Sequence, residues 1–253
     1  MRSRILLVGA AIAAIAAVSA PAAFANHSWN GYHWARTANP FTLKLGNNLT
    51  TSEWQSHLSQ TASDWSRSTV LDTTIVAGGA RNRNCRPTSG RDEICNASYG
   101  NNGWLGIATV WLQSGTTHIV QGTVKVNDYY LGPGASYQYN NSAEREHVMC
   151  QETGHTLGLD HQSTSGASLN TCMDYYHNTS DSDTRSTTPN QHDYDELVTI
   201  YTHLDSTTTL GAPTGSHLVP IGQVGESKYV DRLANGMTRI TFVRWATPIH
   251  PSF

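Results

Sequence analysis

The residues best suited to chemistry lie in one short stretch, 151–161, which reads QETGHTLGLDH. On a helix, positions 151 and 155 share one face and lie about 6 Å apart along the axis, so Gln151 and His155 can reach one metal ion. Gly158 lets the chain turn sharply just past the helix end, which returns His161 as a third ligand. Three protein ligands leave one coordination position open for water, as a catalytic zinc site requires. The spacing therefore predicts one catalytic zinc ion.

Glu152 supplies the acid–base group that such a site needs. Zinc lowers the pKa of a bound water molecule, and a neighbouring carboxylate accepts the proton. The hydroxide attacks a peptide carbonyl, the metal stabilises the oxyanion, and the glutamate passes the proton to the leaving amine. This combination predicts a metal-dependent hydrolytic site with Glu152 as the general base.

Gln151 departs from this scheme, because an amide oxygen is a neutral and weaker zinc donor than imidazole. Three outcomes are open: Gln151 is a poor third ligand in a working protease, His155 and His161 bind the metal with extra water, or the site is a relic. His147 does not replace Gln151, since it lies about 12 Å along the helix axis from His155. We interpret His147 as a polar position on the helix.

The stretch resembles the metzincin signature HExxHxxGxxH and differs from it only at the first position. A second segment, CMDYY at 172–176, is similar to the methionine turn that follows this signature in metzincins. The resemblance covers roughly residues 40–205, and within the clan it is strongest to secreted matrixin-like proteases. It implies that Met173 forms an apolar floor under the metal and that Tyr175 contacts the metal or the oxyanion.

The same resemblance implies an α+β fold for the catalytic domain. Its expected parts are a twisted mixed sheet of about five strands, an active-site helix, the methionine turn and a C-terminal helix. One strand at the upper rim of the sheet is expected to pair with an extended substrate. The expected partner is therefore a protein or peptide substrate, and we expect a monomer.

The four cysteines are expected to form disulfides, because an exported chain meets an oxidising environment. Four cysteines allow three connectivities. We favour Cys85–Cys95, which closes a short local loop. The resemblance favours Cys150–Cys172, because a methionine turn packed under the helix would bring these two sulfurs together.

Export itself is predicted by residues 1–25, which have a basic start, an apolar run from 5 to 18 and an AxA cleavage site. The apolar run is too short to span a bilayer. No later segment is apolar enough to do so, and we expect a secreted protein with no membrane partner. Charged residues make up 14% of the chain, the net charge is −3 and there is no basic block, which argues against a nucleic-acid partner.

The remaining chain divides into a metzincin-like domain, 26–205, and a linker with a small C-terminal β-hairpin, 206–253. Residue alternation and composition predict strands at 41–45, 71–77, 104–112, 118–126, 228–233 and 238–245, and loops at 81–102 and 129–140. The last two strands flank Asn235-Gly236, a strong hairpin signal.

Three helices are predicted from their caps. Their starts are Thr50 with Glu53, Asn141 with Glu144, and Asn190 after Pro189. The first helix has a predicted buried face of Trp54, Leu58, Ala62 and Trp65, and the last one of Tyr194, Leu197, Val198, Tyr201 and Leu204.

Three functions are compatible with these features. The first is a secreted zinc endopeptidase, and the second is a catalytically impaired metzincin-fold module that holds proteins in the substrate groove. The third is a secreted module that binds cell-wall sugar through Trp and Tyr, which leaves the central stretch unexplained. Glu152 favours the first, because a pure binding module needs no acid there. Asp181 and Asp183 are a candidate calcium site, with a solvated acidic loop as the alternative.

Overall fold

The computed structural model describes residues 26–79, 83–211 and 227–246, so the predicted signal peptide lies outside the described residues. Within these ranges no helix combines the length and the apolar character needed to cross a membrane. The elements of the described chain are β1 (His33–Trp34), β2 (Phe41–Asn48), α1 (Ser52–Trp65), β3 (Leu71–Ala77), β4 (Asp92–Ala97), β5 (Trp104–Leu112), β6 (His118–Asn127), α2 (Asp128–Leu131), α3 (Ser142–Thr156), α4 (Gln191–Ile200), β7 (Lys228–Arg232) and β8 (Thr238–Trp245).

The strands form one mixed sheet in the order β3-β2-β4-β6-β5-β8-β7, with β1 paired to the start of β6. Strands β3, β2, β4 and β6 run parallel, whereas β5 runs antiparallel to β6. These five strands confirm the predicted α+β fold with a mixed sheet. The predicted hairpin is also present, and β8 joins it to the main sheet by pairing antiparallel with β5.

Helices α1 and α3 pack against the sheet and against each other. The predicted face of α1 is buried at all four positions, from Trp54 to Trp65. The indole nitrogen of Trp65 donates a hydrogen bond to the carbonyl of Cys150 on α3, at 3.2 Å. The core between the helices and the sheet therefore fixes the helix that carries the candidate site.

Some predicted boundaries were wrong, and tertiary contacts explain why. Helix α1 is capped by Thr51, whose side chain accepts from the Trp54 amide. Thr50 is instead tied to β4, because its amide and hydroxyl both contact the side-chain oxygen of Asn96. The predicted loop at 81–102 contains β4, a polar segment that becomes a strand because β2 and β6 satisfy its backbone on both sides.

The predicted loop at 129–140 likewise begins within the short helix α2, which Asn127 caps through its side chain. The start of α4 was predicted correctly: Asn190 and Asp193 form a reciprocal capping box. Two members of the predicted buried stripe, Val198 and Leu204, are exposed, because that side of α4 and its following turn face solvent.

Candidate active site

Helix α3 carries the candidate site and ends as its sequence predicts. Asn141 caps the helix by accepting a hydrogen bond from the amide of Glu144. The last helical residue is Thr156, and Gly158 follows with φ +98°. A Cβ at position 158 would lie 2.1 Å from the carbonyl oxygen of Tyr32, so only glycine fits this turn. The reversal brings His161 back over the end of the helix.

His155 and His161 face each other through their Nε2 atoms, which are 3.1 Å apart. The Nδ1 of His155 lies 2.9 Å from the carbonyl of Leu159, and the Nδ1 of His161 lies 3.5 Å from a carboxylate oxygen of Asp160. With Nδ1 protonated toward these acceptors, both Nε2 lone pairs point into the gap between the rings. Burial lowers the pKa of His155 well below its ordinary value, and the neighbouring imidazole lowers it further.

Gln151 has its whole amide engaged. Its Nε2 donates to the carbonyls of Cys172 and Asp174, at 2.9 and 2.7 Å. Its Oε1 accepts from Nη1 of Arg244, at 2.7 Å. The side chain predicted as the first metal ligand is therefore bound to the methionine turn on one side and to a guanidinium group on the other.

Arg244 reaches this position from strand β8 and is fully buried. Its guanidinium also donates to the Tyr176 carbonyl and lies 3.3 Å from a carboxylate oxygen of Glu144. Burial alone would raise the pKa of Glu144, but Arg244 and the hydrogen bond from His177 outweigh it and lower this pKa to about 2. A buried ion pair thus joins the hairpin to α3.

His147, interpreted from the sequence as a polar position on the helix, belongs to the same buried cluster. Its Nδ1 lies 2.9 Å from the Asn178 side-chain oxygen, and its Nε2 lies 3.1 Å from the Cys172 carbonyl. Burial, and then Arg244, lower its pKa to about 3, so the ring is neutral near pH 7. Glu144, His147 and Gln151 share one face of α3, and polar residues at this helical spacing are a sequence signal for a polar partner, although they do not identify it.

Glu152 is almost completely buried beside strand β5. Among the described residues neither carboxylate oxygen has a hydrogen-bond partner of normal length, and a Cβ at Gly106 would lie 2.7 Å from Oε1. Burial raises the pKa of Glu152 to about 8, although Arg244 and the backbone of Ala108 act in the opposite direction. The carboxyl group therefore lies next to β5 with a pKa near neutral pH.

The segment after the helix packs against α3. Met173 is fully buried, and its sulfur would lie 2.4 Å from a Cβ at Gly154, on the helical turn between positions 151 and 155. The predicted Cys150–Cys172 disulfide ties this turn to α3, with an S–S distance of 1.95 Å. The predicted Cys85–Cys95 disulfide is also present, at 2.01 Å.

Tyr175 lies beside the imidazole pair, with its ring centroid 4.4 Å from that of His161. Its hydroxyl group donates to the Val243 carbonyl at 3.1 Å and also makes a hydrogen bond with the Ser227 hydroxyl. Both partners belong to the C-terminal hairpin segment. The tyrosine predicted to face the metal or the oxyanion is thus directed at the hairpin.

The hairpin covers the candidate site as a whole. Phe242 stacks on the His155 ring, with centroids 4.0 Å apart and planes at 7°. Lys228 forms an ion pair with Asp160 at 3.2 Å. Strand β8 also pairs with β5 along its length, from Leu112 to Trp104. We call this arrangement, with β8 on β5 and Arg244 on Gln151, the closed arrangement.

The closed arrangement fits a zinc ion only in part. The two Nε2 atoms are close to the roughly 3.3 Å that separates ligands of a tetrahedral zinc with bonds of about 2.0 Å. Gln151 does not fit as the third ligand, because its oxygen is bound by a permanent cation. The residues that fit a metal are therefore His155 and His161, with Gln151 excluded for as long as Arg244 binds it.

Nothing in the acidic loop supports the candidate calcium site over the alternative of an acidic loop without a metal. Asp181 accepts from the Ser142 amide at 2.6 Å. Asp183 forms an ion pair with Arg185 and accepts from the Tyr176 hydroxyl at 2.7 Å. Both carboxylates thus serve as hydrogen-bond acceptors for protein donors.

No protein-family profile and no curated protein sequence matches the chain. Among solved structures it is similar to myroilysin, with 12% identity and a TM-score of 0.39, over 70% of this chain and 98% of that one. It is also similar to high choriolytic enzyme 1, a hatching-enzyme zinc protease from the medaka fish Oryzias latipes. There the identity is 10% and the TM-score 0.37, over 68% of this chain and 96% of that one. At these values the likeness carries no argument about function.

Proposed function

We propose that the chain is a secreted zinc-dependent endopeptidase of the matrixin-like kind, and that the closed arrangement is its inactive form. The observation that carries this proposal is the imidazole pair of His155 and His161, with Nε2 atoms 3.1 Å apart and Glu152 buried on the adjoining turn. Two convergent lone pairs and an adjacent unpaired carboxyl group favour a cation at this point.

The residues then have distinct roles. His155 and His161 would hold the metal, which supplies the positive charge that acidifies water and stabilises an oxyanion. Glu152 moves the proton, because its pKa of about 8 lies close to neutral pH and a nearby cation would lower it toward the working range. In an open form, in which β8 has left β5 and Arg244 has left Gln151, the Gln151 oxygen is free to turn toward the metal.

Strand β5 is the proposed substrate-binding strand. Gly106 on β5 approaches Glu152, so a peptide paired with the outer edge of β5 would pass close to this carboxyl group. Extended peptides bind exposed sheet edges in this way through backbone hydrogen bonds. Strand β8 now pairs with that edge, antiparallel, and so occupies the position of a substrate.

A second candidate function is a catalytically impaired module that binds proteins. The saturated hydrogen bonding of Gln151 favours it, since both donors and the acceptor of the amide are engaged away from any metal. In that case the Arg244 contact is permanent and the imidazole pair is a remnant.

The two candidates differ in what happens when the hairpin contact is broken. We would compare the full chain with its Arg244→Met variant, and with Arg239→Met as a matched control on the same strand. Arg239 forms a partly exposed ion pair with Asp231 on β7 and touches none of the site residues described above. Protein-substrate cleavage and bound zinc would be measured with and without a chelator, and repeated with Glu152→Ala.

The endopeptidase proposal expects Arg244→Met, but not Arg239→Met, to increase chelator-sensitive cleavage. Adding Glu152→Ala to Arg244→Met should abolish that cleavage without removing the zinc that depends on His155 and His161. If Arg244→Met folds, yet neither binds zinc at these histidines nor cleaves protein, the binding-module function replaces the endopeptidase.

A further inference from the structure

A second group of metal-ligating side chains lies away from the candidate active site, where β1, the start of β6 and the chain after α4 meet. It consists of three histidines and one carboxylate. We propose that His33, His118, His203 and Asp205 form a structural Zn²⁺ site that binds this metal independently of the active site.

The donor atoms of His33, His118 and Asp205 all lie within 4.8 Å of one another, and His203 adds a fourth nitrogen beside His33 and Asp205. Nε2 of His33 and Nε2 of His203 are 3.2 Å apart. Nε2 of His118 lies 3.2 Å from Oδ1 of Asp205, and Nε2 of His203 lies 3.7 Å from the same oxygen. Nε2 of His33 lies 3.5 Å from the other carboxylate oxygen. These separations bracket the roughly 3.3 Å expected between ligands around a tetrahedral zinc ion.

The surroundings orient two of the ligands. Nδ1 of His33 lies 2.6 Å from the Gly31 carbonyl, so a proton on Nδ1 leaves the Nε2 lone pair directed into the cluster. Metal-binding histidines are commonly fixed by such a second hydrogen bond. Arg36 fixes Asp205 through Oδ2, with Nη1 at 3.0 Å and the backbone amide at 3.2 Å. Oδ1 then remains directed at His118 and His203.

The site is buried on one side, which makes it rigid, and open to solvent on the other, which lets an ion enter. The side chains of His33 and Asp205 are 4% and 9% exposed. The His203 side chain is 53% exposed and closes the cluster from the solvent side. Three imidazole nitrogens and one carboxylate oxygen suit Zn²⁺, and four protein ligands make a closed, structural site.

Such a site would join parts of the chain that are distant in sequence. His33 is the register partner of His118 in the parallel pairing of β1 with β6. Asp205 is held by the same segment, since its amide donates to the Arg36 carbonyl at 2.9 Å. A metal ion here would fasten the N-terminal strand of the described chain both to the sheet and to the end of α4.

Another cluster, His27, His192 and Asp193, is less suited to a metal. The imidazole rings of His27 and His192 stack with centroids 4.8 Å apart and planes at 19°. Stacked rings direct their lone pairs side by side, not at one point. Asp193 already accepts from the Asn190 amide and the Thr171 hydroxyl as part of the α4 cap.

The test uses the full chain with the active-site histidines removed, as His155→Ala with His161→Ala, so that zinc at the other centre cannot contribute. This protein is stripped with a chelator and titrated with Zn²⁺ alone, and separately with Co²⁺ to record visible absorption bands typical of tetrahedral coordination. The titration is repeated after adding His203→Ala, Asp205→Asn or, as a matched control next to His203, Thr202→Ala.

We expect one Zn²⁺ per chain, unchanged by Thr202→Ala and weakened on the order of a hundredfold or more by loss of either ligand. Because His203 is half-exposed, its variant should fold, and circular dichroism of each stripped variant checks this. Zinc should also raise the thermal midpoint of the Thr202→Ala protein but not that of the His203→Ala protein. Failure to bind zinc, or binding that is the same in the His203→Ala and Thr202→Ala proteins, would overturn the proposal.

Discussion

Because Arg244 and Glu144 form a buried ion pair, we predict that the free energy of unfolding depends on pH. Glu144 is fully buried, and its pKa falls from an ordinary 4.5 to about 2 in the folded chain. A difference of this size corresponds to about 3 kcal/mol, since one pKa unit is about 1.4 kcal/mol. A carboxylate whose pKa is lowered by folding stabilises the fold above its unfolded pKa, and the contribution is lost as the pH falls from 4.5 toward 2.

Replacing Arg244 by Met removes the cation and leaves the Glu144 carboxylate in a buried position. Breaking one partner of a buried pair costs about 3–5 kcal/mol, which agrees with the value from the pKa. We therefore expect Arg244→Met to lower the free energy of unfolding by this amount at pH 7 and by much less near pH 3, where Glu144 can take up a proton. Arg239→Met should cost about 0–1 kcal/mol at both pH values, because its pair with Asp231 is partly exposed.

The assay is equilibrium urea unfolding of the wild type and both variants at pH 7, 5 and 3. The double variant Glu144→Gln with Arg244→Met closes the thermodynamic cycle and should recover part of the loss, because no charge is left unpaired. A loss below about 1 kcal/mol for Arg244→Met at pH 7, or one equally large at pH 3, would refute the reasoning. Either result would mean that the hairpin does not hold the site through this pair.

Two further substitutions test how the site is positioned. Gly158→Ala should lower the free energy of unfolding by about 2–4 kcal/mol, because the left-handed turn is strained and the new Cβ would meet the Tyr32 carbonyl. The control Gly115→Ala, with φ +71° but open space around it, should lower it by about 1 kcal/mol. Equal losses in urea unfolding would contradict the close approach. Replacing Cys150 and Cys172 together by Ala should cost about 3 kcal/mol, because the bridge closes a loop with a sequence separation of 22; an unchanged urea midpoint would show that the disulfide does not constrain the unfolded chain.

The sequence predicted those parts of the fold that depend on neighbouring residues. Strands β3 and β5 occupy the predicted ranges, because their apolar and β-branched residues have few other stable conformations. The cap at Asn141 and the turn at Gly158 were likewise local signals. Strand β4 was missed, because its polar, Asn-containing composition indicates a loop and only pairing between β2 and β6 makes it a strand.

The candidate site likewise has a part that the sequence predicted and a part that it did not. The spacing of residues 151, 155 and 161 placed the two imidazoles correctly, since it follows from helix geometry and one glycine turn. The contact of Arg244 with Gln151 joins residues separated by 93 positions, and no local pattern encodes it. The second histidine cluster was missed for the same reason, because its members lie on β1, on β6 and after α4.

Hydrogen-bond counting explains why glutamine suits position 151 in the closed arrangement. The amide NH₂ group has two donors, and two carbonyls, of Cys172 and Asp174, accept them. Its oxygen accepts from Arg244 at the same time. A neutral imidazole offers one donor and one acceptor, so a histidine there would leave one buried carbonyl with one partner fewer. A metal ion bound to that histidine would also be repelled by the guanidinium charge. Gln151 and the arginine on β8 therefore form one contact, in which each residue type is suited to the other.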